Sequence, residues 1–269
     1  MTANDAIMYF RNVNKTRPGG TGYRLVIDEI LINSREHIAL IGDSGSGKST
    51  ILDMMALVLK PDSAEEFFFR PNPQANWDNL WRNWATGRHG RFEKIRRTDL
   101  GYLLQTGGLL PFITVSDNIT LPAFLKGSVS VAEIVDYLAF LVTELKIEHL
   151  LKKYPTQISV GERQRCAVAR ALIHKPSLVL ADEPTASLDP PTADKVFELL
   201  LKLCDDCALV VSTHEHQRVV GKSGFRVFRL ECSSGQPGEP ITSRVIPPDD
   251  YVSPLVASSQ EPAARPPAG

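Results

Sequence analysis

Gly42-Asp43-Ser44-Gly45-Ser46-Gly47-Lys48-Ser49 decides the reading of this chain. The stretch has the form G-x-x-x-x-G-K-[ST]. It follows His37-Ile38-Ala39-Leu40-Ile41, a short apolar run that reads as a buried strand ended by Gly42. A helix is expected from Lys48 to about Leu59, stopped by Pro61. Strand, glycine loop and helix let successive backbone N–H groups turn inward around phosphate oxygens, with the helix's positive end aimed at the same group. The pattern sends Lys48 to the β/γ oxygens of a nucleoside triphosphate and the Ser49 hydroxyl to Mg²⁺. Gly42, Asp43, Ser44, Gly45, Ser46, Gly47 and Thr50 complete the binding segment.

Such a loop needs an acidic strand end, and Leu178-Val179-Leu180-Ala181-Asp182-Glu183 offers one. Asp182 is expected to hold Mg²⁺ through water, and Glu183 to polarise the attacking water. Ala208-Leu209-Val210-Val211 reads as a further buried strand, and Asp189 can cap a helix that starts at Pro190. A helix is expected from Gly161 to Ile173. Another follows the capping box Ser130-Val131-Ala132-Glu133, with Ile134, Leu138, Leu141, Val142 and Leu145 as its apolar stripe. Upstream, residues 6–33 form alternating apolar runs around a hairpin connection at Pro18-Gly19-Gly20-Thr21-Gly22. Strands alternating with helices imply an α/β fold.

Composition narrows the class. A net charge of −1 over 269 residues gives no general attraction to nucleic acid, so no nucleic-acid partner is expected. No run approaches the roughly 18–20 apolar residues that span a bilayer, and Met1–Arg11, which carries Asp5, does not resemble a secretory signal. Cys204 and Cys207 form a lone CxxC without a second pair at zinc-ligand spacing, which reads as reduced thiols in a cytoplasmic protein.

Two regions are less ordinary. Phe67-Phe68-Phe69 reads as a strand, and Trp77, Leu80, Trp81 and Trp84 recur at i, i+3, i+4, i+7, one helical face that serves local packing or a partner. The basic run Arg82, Arg88, Arg91, Lys94, Arg96 and Arg97 reads as a solvated face or, with the rest of residues 77–97, as an accessory surface for a membrane partner or anionic headgroups. Residues 233–269, rich in Pro, Ser and Gly, are expected to be disordered.

Gln157-Ile158-Ser159-Val160-Gly161-Glu162-Arg163-Gln164-Arg165 resembles the LSGGQ-x-QR signature of ABC ATPases, and Ala167-Val168-Ala169-Arg170-Ala171-Leu172 continues it. Gln105, in Gly101-Tyr102-Leu103-Leu104-Gln105, looks like that family's Q-loop. Ser187-Leu188-Asp189 looks like its D-loop, and His214, in Ser212-Thr213-His214-Glu215, like its switch histidine. Gly108-Leu109-Leu110-Pro111, Thr114-Val115-Ser116-Asp117-Asn118 and Leu121-Pro122 resemble the coupling region of the lipoprotein-releasing and macrolide-export cassettes. The resemblance runs from about Tyr9 to Leu230.

It implies a P-loop NTPase cassette over residues 6–232, with a RecA-like core, an antiparallel β subdomain and a helical subdomain at about 106–175. ATP and Mg²⁺ are the implied ligands. Glu183, His214 and Gln105 would be catalytic, and Ser49, Gln105 and Asp182 would bind metal. Ser159, Gly161, Glu162 and Asp189 would meet nucleotide in a head-to-tail dimer with a second cassette. Integral membrane permease-type subunits are the implied partners, which places the chain on the cytoplasmic face of a membrane. The alternative is a non-transport cassette regulating a membrane-bound envelope or division machine. Four departures stand out. Val160 replaces the first signature glycine, Glu162 replaces the terminal Gln, and the glycine expected after Pro61-Asp62-Ser63 is missing. Arg17 occupies the place of the aromatic residue that stacks on adenine, with Tyr23 as a second candidate for that contact.

Overall fold

The computed structural model describes residues 5–17, 23–128, 130–219, 224–233 and 241–251. In chain order it begins with β1 (Ala6–Arg17), β2 (Tyr23–Asn33), β3 (His37–Ile41) and α1 (Lys48–Met55). There follow β4 (Glu66–Phe69), β5 (Asp78–Asn79), α2 (Leu80–Ala85), α3 (His89–Thr98) and β6 (Leu100–Leu103). Next come α4 (Val115–Lys126), α5 (Val131–Leu145), α6 (Val160–Leu172) and β7 (Leu178–Asp182). The chain then forms α7 (Pro190–Leu203), β8 (Ala208–Thr213), α8 (His216–Val219), β9 (Phe225–Ser233) and β10 (Ile241–Ile246).

These elements divide into two units. The first comprises residues 1–92 and 212–269, the second residues 93–211.

In the first unit the strands run in the order β5-β4-β1-β2-β10-β9-β3. β1 and β2 are antiparallel, ending at the Arg17↔Tyr23 pair; the connection read at Pro18–Gly22 lies outside the described residues. β3 runs parallel to β9, and the phosphate-loop stretch leaves its end. Phe10 and Phe67 are fully buried, with ring centroids 4.1 Å apart. α1 ends at Met55, short of the expected Leu59, because Leu57 turns left-handed at φ 58.

Two expectations fail in this unit. The tryptophans do not share one helix: Trp77 precedes β5, and Asn79 caps α2 by accepting a hydrogen bond from the Arg82 amide at 2.8 Å. Local packing explains their spacing. Trp84 packs at a tilt against Phe67 and Phe92, Trp77 meets the Phe68 edge under the Arg70 guanidinium, and Lys60 lies over Trp81. The segment from Ser233 is not wholly disordered either. Ile241–Ile246 forms β10, parallel to β2 and antiparallel to β9. Its alternation buries Ser243 and Val245 on one face, a period-2 signal that the surrounding Pro, Ser and Gly obscure.

In the second unit β6 and β7 are parallel, with Leu103 opposite Ala181, and β8 follows in the order β6-β7-β8. The expected capping box at Ser130 and Glu133 starts α5, and Ile134, Leu141, Val142 and Leu145 are buried along its stripe. Thr114 with Asp117 and Ser159 with Glu162 build the same box on α4 and α6, and Asp189 caps α7. Buried Asn118 fastens the loop before α4. Its side-chain amide donates to the Leu110, Ile113 and Thr114 carbonyls, and its oxygen accepts from the Leu110 amide at 2.7 Å.

Candidate nucleotide site

The first unit carries the glycine loop. Gly45 and Gly47 lie at φ 81 and φ 100, backbone that a side chain would strain. Lys48 is 4% exposed, and its ammonium is folded over the loop, donating to the Gly42 carbonyl at 2.7 Å and the Asp43 carbonyl at 2.9 Å. Asp43, Ser44 and Ser49 are exposed, while Ser46 and Thr50 are buried.

The start of α1 differs from those of α4, α5, α6 and α7. α4, α5, α6 and α7 each open on a side chain that accepts a backbone amide. α1 opens on Gly47, with no side-chain cap and no acid in its first turn among the described residues. Helix-end amides left without a side-chain acceptor, beside an ammonium, make an anion cradle. The residues present therefore fit a phosphate group.

Arg17 is exposed at the end of β1, opposite Tyr23. The Tyr23 hydroxyl is hydrogen-bonded to the Ser46 carbonyl, which ties that ring to the loop. His214 is exposed just past β8, where the Thr213 hydroxyl accepts the Glu215 amide at 3.0 Å.

The second unit carries the acids, the glutamine and the signature. Leu103 and Ala181 are partners in parallel strands, and Gln105 and Glu183 each follow two residues later, beyond the ends of β6 and β7. Glu183 sits at φ 42, in the left-handed region, which costs a residue with a Cβ on the order of 1–3 kcal/mol. Gln105 is exposed in a turn closed by the Gly107 amide and Leu104 carbonyl. Arg170 anchors the glycine pair beyond that turn, donating to the Gly108 carbonyl at 2.6 Å and the Gly107 carbonyl at 2.9 Å. In the sequence Arg170 is no more than a continuation of the signature; its anchoring role needs the fold.

Ser159 caps α6. Its hydroxyl donates to Glu162 at 2.8 Å and accepts the Glu162 amide at 3.3 Å, while the Ser159 amide donates to the same carboxylate. Those donors hold the Glu162 carboxyl below its ordinary value. Val160 is the first helical residue and is 48% exposed, so its β-branch points into open space and its backbone needs no positive φ. Gly161 lies against the Thr192 methyl and Leu188, so the signature turn touches the segment around Asp189. Hydrogen bonds from the Thr192 side chain and from the Thr192 amide, the latter at 3.2 Å, lower the Asp189 pKa.

A family model described as "ABC transporter" matches residues 29–186, more than half of the chain. The chain belongs to the ABC transporter ATP-binding family. The cassette is 35% identical over 216 residues to the lipoprotein-releasing system ATP-binding protein LolD of Shewanella frigidimarina, covering 79% of this chain and 85% of that protein. It is 35% identical over 218 residues to LolD of Legionella pneumophila, with 80% and 91% covered. Among solved structures it resembles the ATP-binding cassette MJ0796, a dimer in a post-hydrolysis state bound to ADP and Pi. There the TM-score is 0.67 at 29% identity, over 84% of this chain and 94% of that one. It also resembles cbiO1 of Clostridium perfringens, part of the transporter complex cbiONQ, with a TM-score of 0.69 at 26% identity over 90% and 87%. The cassette is thus an ATP-binding, ATP-hydrolysing subunit of an ABC transport system, with the expected α/β P-loop fold. Among the described residues, no helix is long and apolar enough to cross a membrane.

Proposed function

We propose that two copies of this cassette close head to tail on two ATP molecules and thereby move integral membrane permease-type subunits. The observation that carries the nucleotide reading is the uncapped start of α1 beneath Lys48. The dimer reading is supported by MJ0796, which is itself dimeric with ADP and Pi bound. Gly42 to Thr50 hold the phosphates, with Lys48 on the β/γ oxygens. Ser49, Gln105 and Asp182 offer the oxygen donors that Mg²⁺ selects; the ion would neutralise phosphate charge. Glu183 accepts the proton of the attacking water, assisted by His214 and Gln105. Arg17 stacks on adenine.

Ser159, Gly161, Glu162 and Asp189 meet the nucleotide of the opposing copy. The Ser159 hydroxyl donates to the Glu162 carboxylate, so it must rotate outward to donate to a γ-phosphate. Membrane attachment on the cytoplasmic face follows from the permease-type partners. The boundaries 6–232 for the catalytic region and about 106–175 for the helical subdomain belong to the same reading.

Ser159→Arg tests the dimer, because it fills the γ-phosphate position with a guanidinium. In a Glu183→Gln background, which traps ATP, light scattering should show ATP-dependent dimers for the parent and monomers for the Ser159→Arg variant. Dimers that persist would remove the signature from the interface.

A further inference from the structure

Two hydroxyl groups converge on the back of the phosphate loop, and neither belongs to the G-x-x-x-x-G-K-[ST] pattern. Tyr23, the first residue of β2, donates its phenolic O–H to the Ser46 carbonyl. Ser243 of β10 is fully buried and donates its hydroxyl to the same carbonyl at 2.7 Å. A carbonyl oxygen has two lone pairs, so both bonds can be made at once. The sheet register brings the donors together. Tyr23 and Leu25 share a face of β2, and Ser243 is the parallel partner of Leu25. Burial raises the Tyr23 pKa, which keeps the phenol a donor through neutral pH.

Peptide planarity carries this contact to the other side of the loop. In a trans peptide the C=O of one residue and the N–H of the next point in opposite directions. Holding the Ser46 carbonyl toward β2 and β10 therefore aims the Gly47 N–H away from them. Gly47 lies at φ 100, where only a residue without a Cβ moves freely, and a Cβ there would run into the Tyr23 hydroxyl. The tyrosine is seated against the glycine that opens α1.

We infer that Tyr23 and Ser243 are positioning residues for ATP: through the Ser46 carbonyl they fix the Ser46–Gly47 peptide so that the Gly47 N–H faces the phosphates. This rests on the phosphate-loop reading proposed above. Ser243 lies outside residues 29–186, so the stretch that marks the family does not include it.

The test uses the full chain, with Mg²⁺-ATP as the probe in calorimetry and steady-state hydrolysis as the second readout. Tyr23→Phe keeps the ring against Gly47 and removes the donor; Ser243→Ala removes the other. Two neutral hydrogen bonds lost from a preorganised loop should weaken ATP affinity and raise KM roughly tenfold, with kcat changed by less than about threefold. Ser243→Thr keeps a hydroxyl and should bind ATP within about twofold of the parent. A folded double variant that binds ATP as tightly as the parent overturns the inference. Should the double variant melt early, the two single variants are read instead, each expected to weaken ATP by about threefold, and unchanged affinity in both is equally decisive. Lys48→Ala separates the two levels. If it too leaves affinity unchanged, the phosphate-loop reading falls; if it alone loses ATP, only the role of Tyr23 and Ser243 falls.

Discussion

Glu183 is held at φ 42 directly after Asp182, where the chain turns sharply out of β7. A residue with a Cβ is maintained there at a cost, as Leu57 is at the end of α1. Replacing its carboxylate by an amide keeps the shape and removes the proton acceptor. Glu183→Gln should therefore retain ATP binding while single-turnover hydrolysis falls by about 10²–10⁴-fold. A rate within tenfold of the parent in a rapid-quench experiment would take Glu183 out of that role. The role proposed for Lys48 comes earlier in the cycle, at binding. Lys48→Ala leaves phosphate charge without its ammonium, so calorimetry should register a loss of ATP affinity, and no loss would contradict the loop's assignment. Both residues are legible in the sequence, because motif spacing specifies them. Tyr23 reads there only as an adenine contact, since nothing in one dimension shows that its hydroxyl reaches the Ser46 carbonyl.

Among the elements, capping chemistry is the most legible feature. The Ser130-to-Glu133 box and the Asp189 cap stand where spacing places them, because a cap is a local contract between residues three apart. The Thr114–Asp117 box on α4 has the same form, with mutual bonds between the Thr114 hydroxyl, the Asp117 carboxylate and both backbone amides. Thr114→Ala should lower unfolding free energy by about 1 kcal/mol, measured by urea denaturation, while Thr114→Ser should cost far less. Elements whose partners are distant are harder to read. β10 exists because β2 and β9 offer it two edges, which local composition cannot reveal. The tryptophan spacing imitates a helical face but is set by tertiary contacts with Phe67, Phe68 and Phe92.

At the scale of the whole molecule, His174 links stability to pH. It is buried, with Nε2 3.0 Å from the Leu100 carbonyl, and burial pushes its pKa down to about 4, helped by nearby Lys126. The unfolded chain takes up this proton near pH 6.5, whereas the folded protein resists until about pH 4. The unfolded state thus binds more protons in that window. The stabilisation is complete above pH 6.5 and is lost as pH falls, by about 2 kcal/mol between pH 7 and pH 5. Urea unfolding should show that loss in the parent and not in His174→Gln, which keeps a donor for the Leu100 carbonyl without titrating; equal slopes would clear His174. Folding order sets another constraint. Ser46 and Ser243 are 197 positions apart, so a ribosome making about 5–20 residues per second releases the second roughly 10–40 s after the first. Throughout that interval the nascent chain presents the β10 side of β2 as an open edge, joined near its end by β9, and both are competent to pair with a neighbouring polypeptide. Premature termination before Ile241 would leave a product that keeps its nucleotide motifs yet is a substrate for chaperones and proteases.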